Sequence, residues 1–406
     1  LREKFNIDFK LKISNFKFLD KLMQQILEGS DALARAIKNI NPAVISAYPI
    51  TPQTHIVEHL AQFKADGEAD YEFVRAESEF AAASIVLGAA ATGVRTYTAT
   101  SSQGLLLMME VLYNIAGMRL PVVLTCATRA ISAPINIWHD HQDAMAARDT
   151  GWIMLFAETV QESIKQHIMA YKIAEQTKLP VMLCVDGFIM THIYEPVTIP
   201  DAETIQKYLG EYKPKLGEYL NVGHPITMGA LVTPTHYMEI RQELQADLLA
   251  SKKVIAQEYE NYKLKIKNKK LNPKFQISNL KFQIIESGLL EYYGPKNPKM
   301  ILVVLGSLAG TIKEVIDENK KSDVGLLRIK SYRPFPAEEV LAIIKKAKNI
   351  AVIEKALSLG NTYAPLATDI KAVAQGKLNT KIKSFVVGLG GRDVTKKEIR
   401  KIISSL

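Results

Sequence analysis

The chain has 406 residues, of which 48% are hydrophobic and 23% charged; that is enough to bury two substantial cores, no apolar run is long enough to cross a membrane, and a disordered chain is excluded. The net charge of +9 comes from two places: residues 251–300 hold eleven lysines against four glutamates, residues 1–20 hold five basic against three acidic side chains, and the remainder sums to zero. A nucleic-acid groove needs basic residues interleaved with aromatics on a folded domain, so this distribution argues against one. Residues 1–20 are also too charged for the apolar region of a signal peptide, and Cys126 and Cys184 lie in apolar strand-like runs, as buried free thiols of a reducing cytoplasm do.

In chain order, Ser30 and Asp31 can cap a helix to about Lys38, followed by a strand over 44–48, a helix after Pro52, a strand near 71–74 and an Ala-rich helix. Further strands are expected at 95–99, 122–128 and 181–185, with helices at 103–116 and 159–174. This alternation predicts an α/β fold, a parallel sheet covered by helices. A polar helical stretch covers 237–270. The string at 275–282 (FQISNLKF) echoes that at 11–18 (LKISNFKF), too few copies for a repeat architecture. A second α/β unit begins near Lys299, with strands at 300–305, 325–329, 350–353 and 383–387. Its Gly306-Ser307-Leu308-Ala309-Gly310-Thr311 turn lacks the Lys-Ser/Thr pair of a P-loop and reads as a structural strand-to-helix turn.

Within the Ala-rich stretch Glu77-Ser78-Glu79-Phe80, Glu79 is followed at helical spacing by Ala83, Val86, Leu87 and Ala90, and Glu77 by Ala81, Ser84 and Gly88. Glu79 is therefore aimed at the interior, where a carboxylate is costly unless paired; the plainer alternative is an acid favoured by the helix dipole. Thr51 is flanked by Pro49-Ile50 and Pro52, which fix the backbone around one hydroxyl, although a proline turn that caps the next helix has the same look. Arg129 follows a strand, and its planar fork suits a carboxylate. His55-Ile56-Val57-Glu58-His59 fits the H-x-x-E-H zinc pattern, which makes a zinc hydrolase using His55, Glu58 and His59 a distant alternative. His139 and His141 form an H-x-H pair for which hydrogen bonds at a helix start are expected rather than metal.

Taken together and in order, Tyr48-Pro49-Ile50-Thr51-Pro52-Gln53-Thr54, Thr98 to Gly104, Cys126-Ala127-Thr128-Arg129-Ala130 and His139-Asp140-His141-Gln142-Asp143 resemble the alpha subunit of the pyruvate:ferredoxin oxidoreductases, within the thiamine diphosphate-dependent 2-oxoacid:ferredoxin oxidoreductase family. The resemblance runs from about Gly29 to Leu406 and leaves out the N-terminal arm and 263–284. It implies an arm at 1–28, a pyrimidine-binding-type thiamine diphosphate domain at 29–225, a helical linker with a basic insertion at 226–298, and a transketolase C-terminal-like domain at 299–406, carried by Arg333-Pro334-Phe335-Pro336 and Gly388 to Asp393.

The same resemblance implies the chemistry. Glu79 matches the family glutamate on the cofactor's aminopyrimidine, Thr51 the threonine that touches substrate, and Arg129 the arginine that binds the 2-oxoacid carboxylate; Tyr48, Pro49, Ile50, Ser101, Ser102 and Gln103 line the cofactor cleft. The implied reaction is oxidative decarboxylation of pyruvate with coenzyme A to acetyl-CoA and carbon dioxide, with branched-chain 2-oxoacids or 2-oxoglutarate as the alternative substrates. Two cysteines cannot ligate iron–sulfur clusters, which take about four thiolates each, and the sequence lacks the Gly-Asp-Gly motif that holds magnesium and diphosphate. Magnesium, the diphosphate half-site and the clusters are therefore expected on beta, gamma and delta subunits or their equivalents, with ferredoxin as acceptor, no metal on this chain and a cytoplasmic location.

Overall fold

The computed structural model describes residues 24–266, 282–319 and 323–406. In the first half the chain runs β1 (Gln25–Glu28), α1 (Gly29–Ile40), β2 (Val44–Ala47), α2 (Thr54–Ala65), β3 (Glu72–Arg75), α3 (Glu79–Ala91), β4 (Thr96–Thr100), α4 (Ser102–Leu107), α5 (Met109–Gly117), β5 (Val123–Thr128), α6 (Gln142–Ala146), β6 (Ile153–Phe156), α7 (Val160–Thr177), β7 (Val181–Asp186), β8 (Tyr194–Val197) and α8 (Ala202–Leu209). The expected helix over 103–116 is two helices, broken at Met108. β4 to β7 are buried along their whole length, as parallel strands covered on both faces must be.

After α9 (Pro234–Ile266) come β9 (Phe282–Glu286), β10 (Leu290–Pro295), β11 (Met300–Val304), α10 (Leu308–Glu318), β12 (Val324–Ile329), β13 (Ser331–Arg333), α11 (Ala337–Ile344), β14 (Asn349–Glu354), α12 (Pro365–Ala374), β15 (Lys381–Val386) and α13 (Lys396–Ser404). The second sheet has the order β15-β14-β11-β12-β10-β9, so its first strand lies at Phe282 rather than after 299. The β9–β10 antiparallel pair was hidden in the sequence because β9 is an edge strand, mostly exposed, directly after a lysine-rich stretch. Of the expected insertion at 263–284, residues up to Ile266 complete α9 and Phe282–Ile284 open β9; 267–281 lie outside the described residues, as do the arm before Met23 and the repeated strings, save Phe282.

The first sheet is seven-stranded with the order β13-β6-β7-β5-β4-β2-β3, parallel except for β13, which comes from the second half of the chain and pairs antiparallel with β6. A belt of charge reinforces this junction. Arg328 on β12 reaches Glu162 (2.6 Å) and Glu158 (3.1 Å) around the start of α7, and Glu291 (2.6 Å) on β10. Lys330 pairs with Glu162 and Glu286, and Lys313 with Glu158 and Glu291. Arg328 and Lys330 are almost fully buried, and a buried cation is tolerated only with its partners in place.

Candidate active site

Parallel strands send their carboxyl ends to one edge of a sheet, and in such folds ligands bind there. The Thr51 turn follows β2, Glu79 follows β3, Ser101 to Gly104 follow β4, Arg129 follows β5 and Asp186 ends β7.

Glu79 is the first residue of α3, where Ser78 caps the helix by accepting from the Ala81 N–H at 3.1 Å. It is 7% exposed, whereas Glu77 is exposed, as helical spacing predicts. Its carboxylate lies against Gly104: a Cβ there would stand 2.6 Å from Glu79 Oε1 and 2.4 Å from Thr100 Oγ1, so only glycine lets the two helix starts close up around the carboxylate. Among the described residues Glu79 makes no hydrogen bond or ion pair. The Thr100 and Ser101 hydroxyls and Gln103 Nε2 are buried and unpartnered too. Buried polar groups are normally satisfied, so this cluster has the character of a site completed by something else.

Arg129 is 5% exposed. Its Nε donates to the Asn136 carbonyl (3.0 Å) and its Nη1 to the Thr51 carbonyl (2.8 Å), which leaves Nη2 without a hydrogen bond among the described residues. Thr51 and Arg129 are thus brought together, through the threonine's backbone, with the Thr51 residue itself exposed. Tyr48 and Pro49 are exposed and Ile50 half-buried, on the open side of that turn. Gln53 pins the turn from below: its Nε2 donates to the Ala99 carbonyl at 2.7 Å and its Oε1 accepts from the Ile50 N–H at 3.3 Å.

The organising residue that sequence reasoning missed is Asp143. Its Oδ2 accepts from the backbone N–H of Ser102 (2.8 Å) and of Arg129 (3.0 Å), and its Oδ1 from that of Ala144 (2.7 Å). It therefore holds the β4 and β5 turns in register and keeps Ser102 in a left-handed conformation, φ 48°. Ser102 Oγ adds a hydrogen bond to the Ala130 carbonyl at 2.5 Å. Burial pushes the Asp143 carboxyl up to about 7 against the pull of those three donors. Its place at the end of the HDHQD string was the only trace of this role in the sequence.

The histidines of that string do not serve the helix start. Asp140 does, accepting from the Gln142 N–H at 3.0 Å. His141 Nε2 instead contacts Asp186 (2.8 Å), and His139 Nε2 contacts Lys355 Nζ (2.6 Å). Lys355, at the end of β14, also reaches Asp186 (3.2 Å), whose other hydrogen bonds come from the Ser307 hydroxyl and N–H. Lys355 and the two histidines outweigh burial and hold the Asp186 carboxyl well below the usual carboxylate range. Burial first, then Lys355, pull His139 down to about 4. The Gly388–Asp393 turn closes over the same loop: Asn136 Nδ2 donates to the Gly390 carbonyl, and the Gly391 N–H donates to the His139 carbonyl. The second half of the chain thus braces the loop that carries Arg129.

The H-x-x-E-H pattern does not converge on one point. His55 Nδ1 lies 2.7 Å from Glu28 Oε1, Glu58 is exposed, and His59 Nδ1 is 4.0 Å from Asp31.

A buried carboxylate at a helix start, a glycine that makes room for it and three unpartnered polar atoms fit the ring end of a thiamine cofactor. The residues for its other end are not evident: among the described residues the one group of three potential metal ligands is Glu28, His55 and His192, with a single carboxylate between two imidazoles.

Residues 35–260 match the family model described as pyruvate flavodoxin/ferredoxin oxidoreductase, thiamine diphosphate-binding, and residues 299–399 match pyruvate:ferredoxin oxidoreductase core domain II. The chain is 47% identical over 384 residues to the pyruvate synthase subunit PorA of Methanocaldococcus jannaschii, covering 94% of each chain. It is 37% identical over 388 residues to the ketoisovalerate oxidoreductase subunit VorA of Pyrococcus furiosus, covering 95% of this chain and 94% of that one. Its fold is similar to that of a 2-oxoglutarate:ferredoxin oxidoreductase from Magnetococcus marinus, with a TM-score of 0.69 at 18% identity, and the match covers 94% of this chain and 65% of the other.

Proposed function

The chain belongs to the pyruvate:ferredoxin oxidoreductase family as its alpha subunit, and on that premise we propose that it forms the pyrimidine half of an active site that a partner subunit completes. The assembled enzyme oxidises pyruvate with coenzyme A to acetyl-CoA and carbon dioxide, and the electrons leave through clusters on the partners to ferredoxin. The observation that carries the half-site reading is the buried Glu79 carboxylate with its unpartnered neighbours Thr100, Ser101 and Gln103.

Bound thiamine diphosphate would supply the electron sink for decarboxylation. Glu79 would hold a proton at the ring nitrogen opposite the amino group, a role suited to a carboxyl group shielded from water. Arg129 would receive the 2-oxoacid carboxylate on Nη2, its Nε and Nη1 already fixed on Asn136 and Thr51. That pre-set fork spends little further entropy on binding. Thr51 stands on the open side to orient the substrate, with Tyr48, Pro49 and Ile50 beside it. Magnesium, the cofactor diphosphate and the clusters would be held by the partners. Val74, Phe80, Leu107 and Tyr113, on β3, α3, α4 and α5, leave large apolar side chains exposed, as a surface covered by another subunit would.

A branched-chain 2-oxoacid is the second reading, favoured by the likeness to the ketoisovalerate subunit. A screen of pyruvate, 2-oxoisovalerate and 2-oxoglutarate with the assembled complex, coenzyme A and a viologen dye separates them. Pyruvate should give the highest kcat/KM; a preference for 2-oxoisovalerate would replace the first reading with the second.

A further inference from the structure

Glu28, His55 and His192 come from three separate segments: the end of β1, the first turn of α2 and the turn between β7 and β8. One ligand atom from each lies within 4.8 Å of the others. The two imidazole rings face one another at 4.7 Å between centroids, tilted by 34°. His55 Nδ1 is 2.7 Å from Glu28 Oε1. His192 Nδ1 is engaged by the Thr191 hydroxyl at 2.7 Å, which leaves its Nε2 available and fixes the ring. Thr191 in turn accepts from the Phe188 N–H at 2.9 Å, within a turn where Phe188 has φ 58°.

We propose that these three side chains bind a zinc ion, with water completing the coordination. Two imidazoles and one carboxylate form an established donor set for zinc with an open position, and a hydrogen-bond partner on the far ring nitrogen is what metal-bound histidine normally has. Tetrahedral ligand atoms about 2.0–2.1 Å from zinc lie roughly 3.3 Å apart. To take the ion, the 2.7 Å His55–Glu28 contact has to open and separations of up to 4.8 Å have to close. A shared cation would satisfy all three side chains at once.

The location gives the ion a structural role. α2 begins immediately after the Thr51–Pro52 turn, and the turn bearing His192 opens at Gly187, where a Cβ would lie 2.6 Å from Pro52 Cγ and 2.6 Å from the Thr128 carbonyl oxygen. Zinc would clip together the two turns that pack against each other beneath the substrate-facing threonine. The histidine that begins the H-x-x-E-H string would then be a ligand, with Glu28 and His192 as its partners in place of Glu58 and His59.

The test uses tag-free, full-length chain stripped with chelator and titrated with zinc chloride and, separately, cobalt chloride. Retention of a single zinc ion per chain after gel filtration, an unfolding midpoint that rises with zinc, and a four- or five-coordinate cobalt absorption spectrum are the expected results. His55→Gln and His192→Gln should each weaken binding by more than the ten- to hundredfold that loss of an outer-shell partner costs, with Glu58→Gln and His59→Gln unchanged. No zinc retained, weak six-coordinate cobalt, or binding equal to wild type in folded His192→Gln would each overturn the proposal. The spectrum of the unmutated chain decides the case even where a variant fails to fold.

Discussion

Two parts of this molecule bury charge in opposite ways. In the belt between the sheets both buried cations have named carboxylates: Arg328 has three and Lys330 two. At the strand ends Glu79, 7% exposed, has a carboxylate unpaired among the described residues, with buried unpartnered hydroxyl and amide groups around it. Satisfied burial holds the halves of the chain together, whereas a cluster of unsatisfied buried groups around a carboxylate at the strand ends suits a site that a ligand completes. The contrast separates structural from chemical carboxylates without reference to residue type.

The sharpest way to break that comparison is to neutralise one carboxylate of each kind. Glu79→Gln should lower turnover of the assembled complex by about a hundred- to ten-thousand-fold, the usual worth of acid–base assistance, with the unfolding midpoint nearly unchanged. Glu77→Gln should do little; equal effects from the two would mean that the wrong glutamate has been assigned. In the belt, Arg328→Ala should instead cost about 3–5 kcal/mol of stability, read by denaturant unfolding. A variant as stable as wild type would show that the belt does not hold the sheets.

Arg129→Ala sits between the two cases, since its guanidinium has both structural and free donors. Truncating the partner of a desolvated carboxylate costs about 2–5 kcal/mol, and the loss should fall on KM for the 2-oxoacid while thiamine diphosphate affinity, measured by calorimetry, survives. Lost cofactor affinity would move Arg129 to the cofactor. The smallest effect is expected at 267–281, a segment outside the described residues. Replacing 267–281 with a short Gly/Ser linker should leave folding and assembled activity nearly intact, because even doubling a flexible loop costs about 0.6 kcal/mol. The replacement stops at 281 because Phe282 and Gln283 belong to β9. Failure of the folded variant to assemble would make this segment a subunit contact.

Much of this was legible in the sequence because it depends on local period. The buried strand runs, the helix α7 and the inward aim of Glu79 all follow from spacing. What was not legible is set by distant partners. β13 is three residues long and takes its place in the first sheet only by meeting β6. Lys355 is 169 residues from Asp186, and nothing near either of them announces the pair. Asp143 lay inside a string whose histidines drew the attention, and its role appears only when the backbones of Ser102 and Arg129 arrive beside it. His55 and His59 showed the opposite failure, since an apt local spacing is overridden by Glu28, His192 and Asp31.

The central claim, that this chain is one half of an active site, is tested most directly by reconstitution. The purified chain alone should be colourless and should not turn over pyruvate with thiamine diphosphate, magnesium, coenzyme A and a viologen dye, and addition of the cluster-bearing partner subunits should restore dye reduction. Pyruvate-dependent dye reduction by the isolated chain would contradict the claim.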